Sequence, residues 1–163
     1  MRIAVISDIH DNLVNLEKCL GWCNKNKIEQ LFCCGDVTNG ETLDRLAKLY
    51  KNTIHLVEGN VVLFDRDKIN SYPNIKYYGQ YGRFRVGEMN VGLMHEPFLV
   101  GKVKSLGKCD IIFYGHTHKP WEEDKDGVRL INPGTLSGMF SVTSFAVWDT
   151  EDNNIDLILL NRI

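Results

Sequence analysis

Apolar residues fall in short runs along this chain, and several of the runs stop at glycine or at a polar side chain. Ile3 to Ser7, β-branched at Ile3, Val5 and Ile6, predicts a buried strand. Asp11 to Lys27 carries Leu13, Leu16, Leu20 and Cys23 at helical spacing and predicts an amphipathic helix. Leu31 to Cys34 is a second strand. Glu41 to Tyr50, with Leu43, Leu46, Ala47 and Tyr50, is a second helix, and Thr53 to Val57 is a third strand. A βαβαβ order with short connections predicts a parallel sheet with right-handed crossovers.

The second half changes character. Tyr78 to Val86 and Met89 to Met94 flank a tight turn at Gly87-Glu88 and predict a hairpin. Leu99 to Leu106 reads as a short helix and Cys109 to Tyr114 as a strand. Trp121 to Glu123 and Val128 to Ile131 surround the turn Asp124 to Gly127; Ser144 to Trp148 and Ile155 to Leu160 surround the turn Glu151 to Asn154. No repeat, low-complexity tract or linker interrupts the pattern. The expected architecture is one α/β domain over residues 1–163, with mixed sheets in two layers.

Composition narrows the class. A chain of 163 residues with 44% apolar and 25% charged residues has enough material for one real core. Its formal charge of −2 argues against nucleic acid or an anionic membrane as a partner held by bulk electrostatics. A phosphate-bearing substrate stays open, because bound metal ions can supply local positive charge. No apolar stretch reaches membrane-spanning length, and the N-terminal run is too short for a signal peptide, so a cytoplasmic location is expected. The five cysteines, an odd number without a CxxC pair, fit reduced core residues. A homodimer through an exposed hairpin or edge strand is left open.

The chemistry sits where the strands end. The first strand runs into Asp8, with His10 two residues on. The second ends Cys34-Gly35-Asp36, the third Glu58-Gly59-Asn60, and Met89 to Met94 ends in His95. Cys109 to Tyr114 leads through Gly115 to His116-Thr117-His118. Five strands therefore deliver a potential metal ligand at their carboxyl ends, the edge where sites form in α/β sheets. Three of the groups follow a glycine, which tolerates unusual backbone angles and close approach. Oxygen and imidazole donors without thiolate suit a hydrolytic site for Mn, Fe, Ni or Zn better than a structural zinc site. Two divalent ions need an anionic ligand that bridges them, and Asp36 is the natural candidate. His55 is the one histidine inside a strand and reads as structural.

The ordered set Asp8-Ile9-His10, Gly35-Asp36, Gly59-Asn60, His95 and Gly115-His116-Thr117-His118 resembles the calcineurin-like metallophosphoesterase superfamily. It is similar in particular to the small single-domain phosphodiesterases of bacteria and archaea. Ile131-Asn132-Pro133-Gly134-Thr135 matches a further stretch of that group. The resemblance implies two mixed β-sheets packed as a sandwich and flanked by helices. It also implies Asp8, His10 and His118 on one metal ion, Asn60, His95 and His116 on the other, and Asp36 between them. Asp36, Asn60 and His95 would share in catalysis. The implied activity is hydrolysis of a phosphodiester or related small phosphate ester by a metal-bridging hydroxide, with manganese the leading metal.

The chain departs from that family at two places. A histidine follows Gly-Asn in many members and serves them as general acid, and the small relatives often have an aspartate there; here the positions are Val61 and Val62. His-Gly-His, common in small relatives, is replaced by His95-Glu96-Pro97. A missing general acid removes an effect of about 10²–10⁴-fold, so a slow enzyme, or one that prefers good leaving groups, is expected. Asp11 and Glu96 are candidate substitutes. The rival function is a catalytically weak, metal-stabilised interaction scaffold of the same fold. The retromer subunit resembles the chain at Gly115 to Lys119 and at Asn132-Pro133-Gly134, but retention of all seven ligands favours the enzyme. Lys102, Lys104 and Lys108 read as a solvated face rather than a nucleic-acid track. Trp22, Trp121 and Trp148 read as packing residues, with Trp121 partly exposed. Phe64 and Phe98 are candidate pocket residues.

Overall fold

The computed structural model describes residues 1–163 and contains eleven strands and three α-helices. Strands β1 (Arg2–Ile6), β2 (Gln30–Cys33), β3 (Thr53–Leu56) and β4 (Ile75–Tyr77) run parallel to one another. β10 (Ser144–Asp149) pairs antiparallel with β1, and β11 (Asn154–Leu159) with β10, completing a six-stranded sheet in the order β11-β10-β1-β2-β3-β4. The second sheet has five strands in the order β5-β6-β7-β9-β8: Tyr81–Val86, Met89–Met94, Ile111–Phe113, Val128–Asn132 and Trp121–Lys125. Its central pairs are parallel and its outer pairs antiparallel. Both sheets are thus mixed, as the sequence pattern implied.

Alternation along the strands builds the layers. Ile3 and Val5 of β1, with Phe32 and Trp148 of the same sheet, face the second sheet and share a core with its Val91, Leu93, Ile111 and Phe113. Ala4 and Ile6 face the other way, onto α1 (Leu13–Lys25) and α2 (Gly40–Leu49) through Leu16, Leu20, Leu43 and Leu46. On the far side, Val103 of α3 (Val100–Ser105) packs with Ile112 and Met94 of the second sheet. The order of layers is helix, sheet, sheet, helix. Phe32 is fully buried at the centre, its ring edge-on to Phe84 and Phe113. Truncating a side chain so placed costs about 3–5 kcal/mol.

The elements differ from expectation mainly at their ends. α1 begins later because Asn12 caps it, its side chain accepting from the Asn15 N–H. Asp11 and Lys27, expected inside the helix, have φ of 59° and 55° and lie outside it. The run Tyr78 to Val86 is interrupted by a turn at Gly79, so β5 starts at Tyr81. β4 and the 3-10 turn Arg66–Ser71 were not expected. Three residues with little buried area carry almost no periodic signal.

Trp148 is buried, Trp22 packs edge-on against Phe145, and Trp121 is half-exposed. All five cysteines are buried and free. Phe64 packs into the core beneath α1 and α2, and its edge lines a surface pocket with Leu43, Leu63 and Tyr72.

Candidate metal centre

Strand β1 ends at Ile6, and the chain then turns so that Asp8 donates its N–H to the Gly35 carbonyl at 3.1 Å. Ile9 and His10 both donate to the Asp36 carbonyl at 3.0 Å. The loops after β1 and β2 are thereby locked together. Glycine at 59 permits the third loop to join them: a Cβ there would stand 1.8 Å from Asp36 Oδ1. In its absence Val61 donates its N–H to that oxygen at 2.9 Å. His95 comes off β6, and His116 and His118 from the loop after β7.

All seven side chains singled out in the sequence converge. His10 Nε2 and His118 Nε2 lie 3.2 Å apart. His118 Nε2 is 3.2 Å from Asp8 Oδ1, and His10 Nε2 is 3.7 Å from the same oxygen. Asp36 Oδ2 lies 3.5 Å from His10 Nε2 and 3.3 Å from His95 Nε2, so one carboxylate oxygen faces both halves of the cluster. Asn60 Oδ1 stands 3.0 Å from His95 Nε2 and 3.0 Å from His116 Nδ1.

The second nitrogens of two imidazoles find partners that the residue pattern could not name. His95 Nδ1 donates to the Cys34 carbonyl at 2.7 Å, which turns Nε2 toward Asp36 and Asn60. His118 Nδ1 donates to the Met139 carbonyl at 3.0 Å, which turns its Nε2 toward Asp8 and His10. The Asn132 stretch is a clamp. Asn132 Nδ2 donates to the Gly115 carbonyl and to Thr117 Oγ1, and Thr135 Oγ1 donates to the Asp8 carbonyl at 2.9 Å.

Several features point to cations. Asp8 Oδ1 is fully buried, in the centre of the cluster, without a hydrogen-bond partner. A buried carboxylate oxygen is costly in that state unless something positive satisfies it. Asp8, His10 and His118 have ligand atoms close enough to share one ion, as do Asp8, Asp36 and His95. Asp8, His10, Asp36, His116 and His118 all have positive φ, between 44° and 70°. Strain concentrated on the donors themselves is typical of a functional constellation.

The electrostatics agree. The His10 pKa is raised by the nearby Asp8 carboxylate against the opposing effect of burial, with help from the Asp36 charge. Burial works against a charged His95, but contact with Asp36 and the Asp8 charge outweigh it and raise its pKa. Burial would raise the Asp36 pKa, and the bond to His95 and the N–H of Val61 reverse the sign. Two buried carboxylates that draw protons onto imidazoles form a field that draws divalent cations as well.

Other candidates fare differently. Asp11 Oδ1 accepts from the Asn39 N–H at 3.1 Å and from Thr42 Oγ1 at 2.6 Å, so this carboxylate organises the start of α2 instead of pointing a proton at the centre. Glu96 is half-buried and its side chain caps nothing. His55 is buried in an aromatic stack between Phe32, Phe84 and Tyr78, away from the cluster. Phe98 projects into solvent.

Comparison with known proteins gives the same direction. A family model described as the calcineurin-like phosphoesterase superfamily domain matches residues 1–153. A phosphodiesterase of Methanocaldococcus jannaschii is 26% identical, over 98% of this chain and 99% of its own length. A probable metallophosphoesterase of the same organism is 30% identical, over 83% of this chain and 68% of its own. Among solved structures, that of an archaeal phosphodiesterase superposes with a TM-score of 0.86 at 23% identity, covering 98% of this chain and 99% of that one.

Proposed function

Because the chain belongs to the calcineurin-like phosphoesterase superfamily, we propose that it is a metal-dependent phosphoesterase acting on a phosphodiester or related small phosphate ester. The observation that carries this reading is the convergence of seven donor side chains around the unpartnered, buried Asp8 Oδ1. In this reading Asp8, His10 and His118 hold one divalent ion and Asn60, His95 and His116 the other. Asp36, whose Oδ2 faces both His10 and His95, serves the two together. Oxygen and imidazole donors suit Mn²⁺ first, with Fe, Ni or Zn as alternatives. Five free, buried cysteines suit the cytoplasm.

When bound, the ions supply positive charge that activates water and stabilises the phosphoryl oxygens in the transition state. The chain supplies orientation. The bond from His95 to Cys34 and that from His118 to Met139 leave each Nε2 lone pair aimed inward. The Asn132 and Thr135 clamp holds the Asp8 and His116 backbones in their strained angles. Proton delivery to the leaving group is poorly provided: Val61 and Val62 cannot supply it, and Asp11 is committed elsewhere. Glu96, adjacent to His95 in the chain, is the candidate for that part, and esters with good leaving groups are the favoured substrates.

The test is turnover of bis-p-nitrophenyl phosphate with added Mn²⁺, for wild type and Asp36→Asn. A rate that falls by about 10²-fold or more in the variant is expected. Equal rates in the two proteins would reject the enzyme in favour of a metal-stabilised scaffold.

A further inference from the structure

The segment from Leu136 to Val142 is fastened to the centre at one end and leads into solvent at the other. Leu136 and Ser137 donate their N–H groups to the carbonyls of Ser7 and Asp8 at 3.0 and 2.9 Å. The Ser137 carbonyl accepts from Asn12 Nδ2, and Ser137 Oγ accepts from the Met139 N–H. The next residue is Phe140, with φ of 64° and 91% of its surface exposed. Its ring lies edge-on to His118, centroids 5.5 Å apart.

A large aromatic side chain in this state is penalised twice. The left-handed angle is disfavoured for a bulky residue, and the exposed ring gains little from burial. Both penalties fall on a residue in ring contact with a candidate ligand. Two other ligand-bearing loops also expose an apolar side chain. Leu63, three residues after Asn60, and Phe98, three after His95, are each 73% exposed. The stretches 60–64, 95–99 and 137–142 contain no lysine or arginine, and exposed Lys119 follows His118 in the remaining loop. A substrate substituent that reaches Leu63, Phe98 or Phe140 meets hydrocarbon and aromatic surface.

We infer that Phe140 is a specificity-determining residue, which stacks a flat aromatic group on the non-leaving side of the phosphate ester while the phosphate occupies the metal centre. This inference rests on the phosphoesterase reading. Ring centroids 4.5–7 Å apart are the ordinary range for aromatic pairs, and a phenyl group set one ester oxygen from phosphorus beside His118 would enter it. A simple aryl group and a nucleobase share this chemistry.

The experiment uses three diesters with one leaving group: methyl, phenyl and thymidine-5′ p-nitrophenyl phosphates, with the Mn²⁺-loaded protein. Wild type is expected to favour the aromatic esters over the methyl ester roughly threefold to tenfold in kcat/KM. Phe140→Ala is expected to bring the ratio to about one, and Phe140→Tyr to restore it. A faster phenyl ester assigns the subsite to simple aryl groups, a faster thymidine ester to nucleobases. Calorimetric titration with phenylphosphonate and methylphosphonate gives a second readout, with the same preference and the same loss in Phe140→Ala. Turnover with equal specificity for all three esters, or a preference unchanged in Phe140→Ala, overturns the inference and leaves the phosphoesterase standing. No turnover of any ester, together with a phenylphosphonate preference that depends on Phe140, removes the enzyme and keeps the aromatic subsite. No turnover and no such preference removes both.

Discussion

Gly35 lies against the ring of His95 so closely that a Cβ on the glycine would stand 2.8 Å from the imidazole Nδ1. The same Cβ would stand 2.8 Å from the Glu58 carbonyl oxygen, and the Gly35 φ is +99°, an angle that side chains seldom adopt. Glycine here is therefore required twice, for the bend after β2 and for the seat of a candidate ligand. Gly35→Ala should destabilise the fold by about 2 kcal/mol or more and weaken Mn²⁺ binding at least tenfold. Thermal unfolding and calorimetric titration check both effects. Wild-type values in each would show that His95 needs no such seat.

Asn132 touches none of the seven donors' ligand atoms and still should matter to the metal. Its amide holds the Gly115 carbonyl at 2.8 Å and Thr117 Oγ1 at 3.0 Å, on both sides of His116. Asn132→Ala removes both contacts and leaves the Gly115 carbonyl only its bond from the Thr117 N–H. A loss of about 10–100-fold in Mn²⁺ affinity is expected, measured by titration against a competing chelator. Unchanged affinity would reduce the clamp to a packing feature.

His55 gives the protein a pH dependence away from the centre. Burial among Phe32, Phe84 and Tyr78, with a smaller contribution from the Lys76 charge, pushes its pKa down to about 4. The unfolded chain binds this proton near pH 6.5. Stability from a neutral His55 is thus full above about 6.5 and is lost as pH falls toward 4. Between pH 7.5 and pH 5 wild type should lose about 2 kcal/mol more than His55→Phe in denaturant unfolding. Parallel losses in the two proteins would contradict this.

Much of the fold was readable because burial is periodic. Ile3 and Val5 face one layer, Ala4 and Ile6 the other, and the chain shows that alternation directly. The seven donors were readable for a related reason: each follows a strand closely, so topology alone brings them to one edge. What was not readable depends on backbone atoms and on loops without periodicity. The carbonyls of Cys34 and Met139 orient two imidazoles, but a carbonyl oxygen is common to every residue. The commitment of Asp11 to Asn39 and Thr42 followed no spacing rule. Phe140 came into view only when the loop carrying it was seen beside His118.

The same Asp11 contacts set an expectation for proton transfer. With its carboxylate accepting from Asn39 and Thr42, Asp11→Asn should lower stability by about 1 kcal/mol without altering how the rate depends on leaving-group pKa. Glu96→Gln should make that dependence steeper. A series of aryl methyl phosphates of graded leaving-group pKa reads both. A steeper slope in Asp11→Asn, with none in Glu96→Gln, would reverse the two roles.

The most direct measurement is anomalous diffraction at the manganese edge from crystals soaked in Mn²⁺. Two peaks about 3.5–4 Å apart are predicted, one in bonding reach of Asp8, His10 and His118, the other of Asn60, His95 and His116, with Asp36 beside both. A single peak, or peaks away from these side chains, would contradict a two-ion centre.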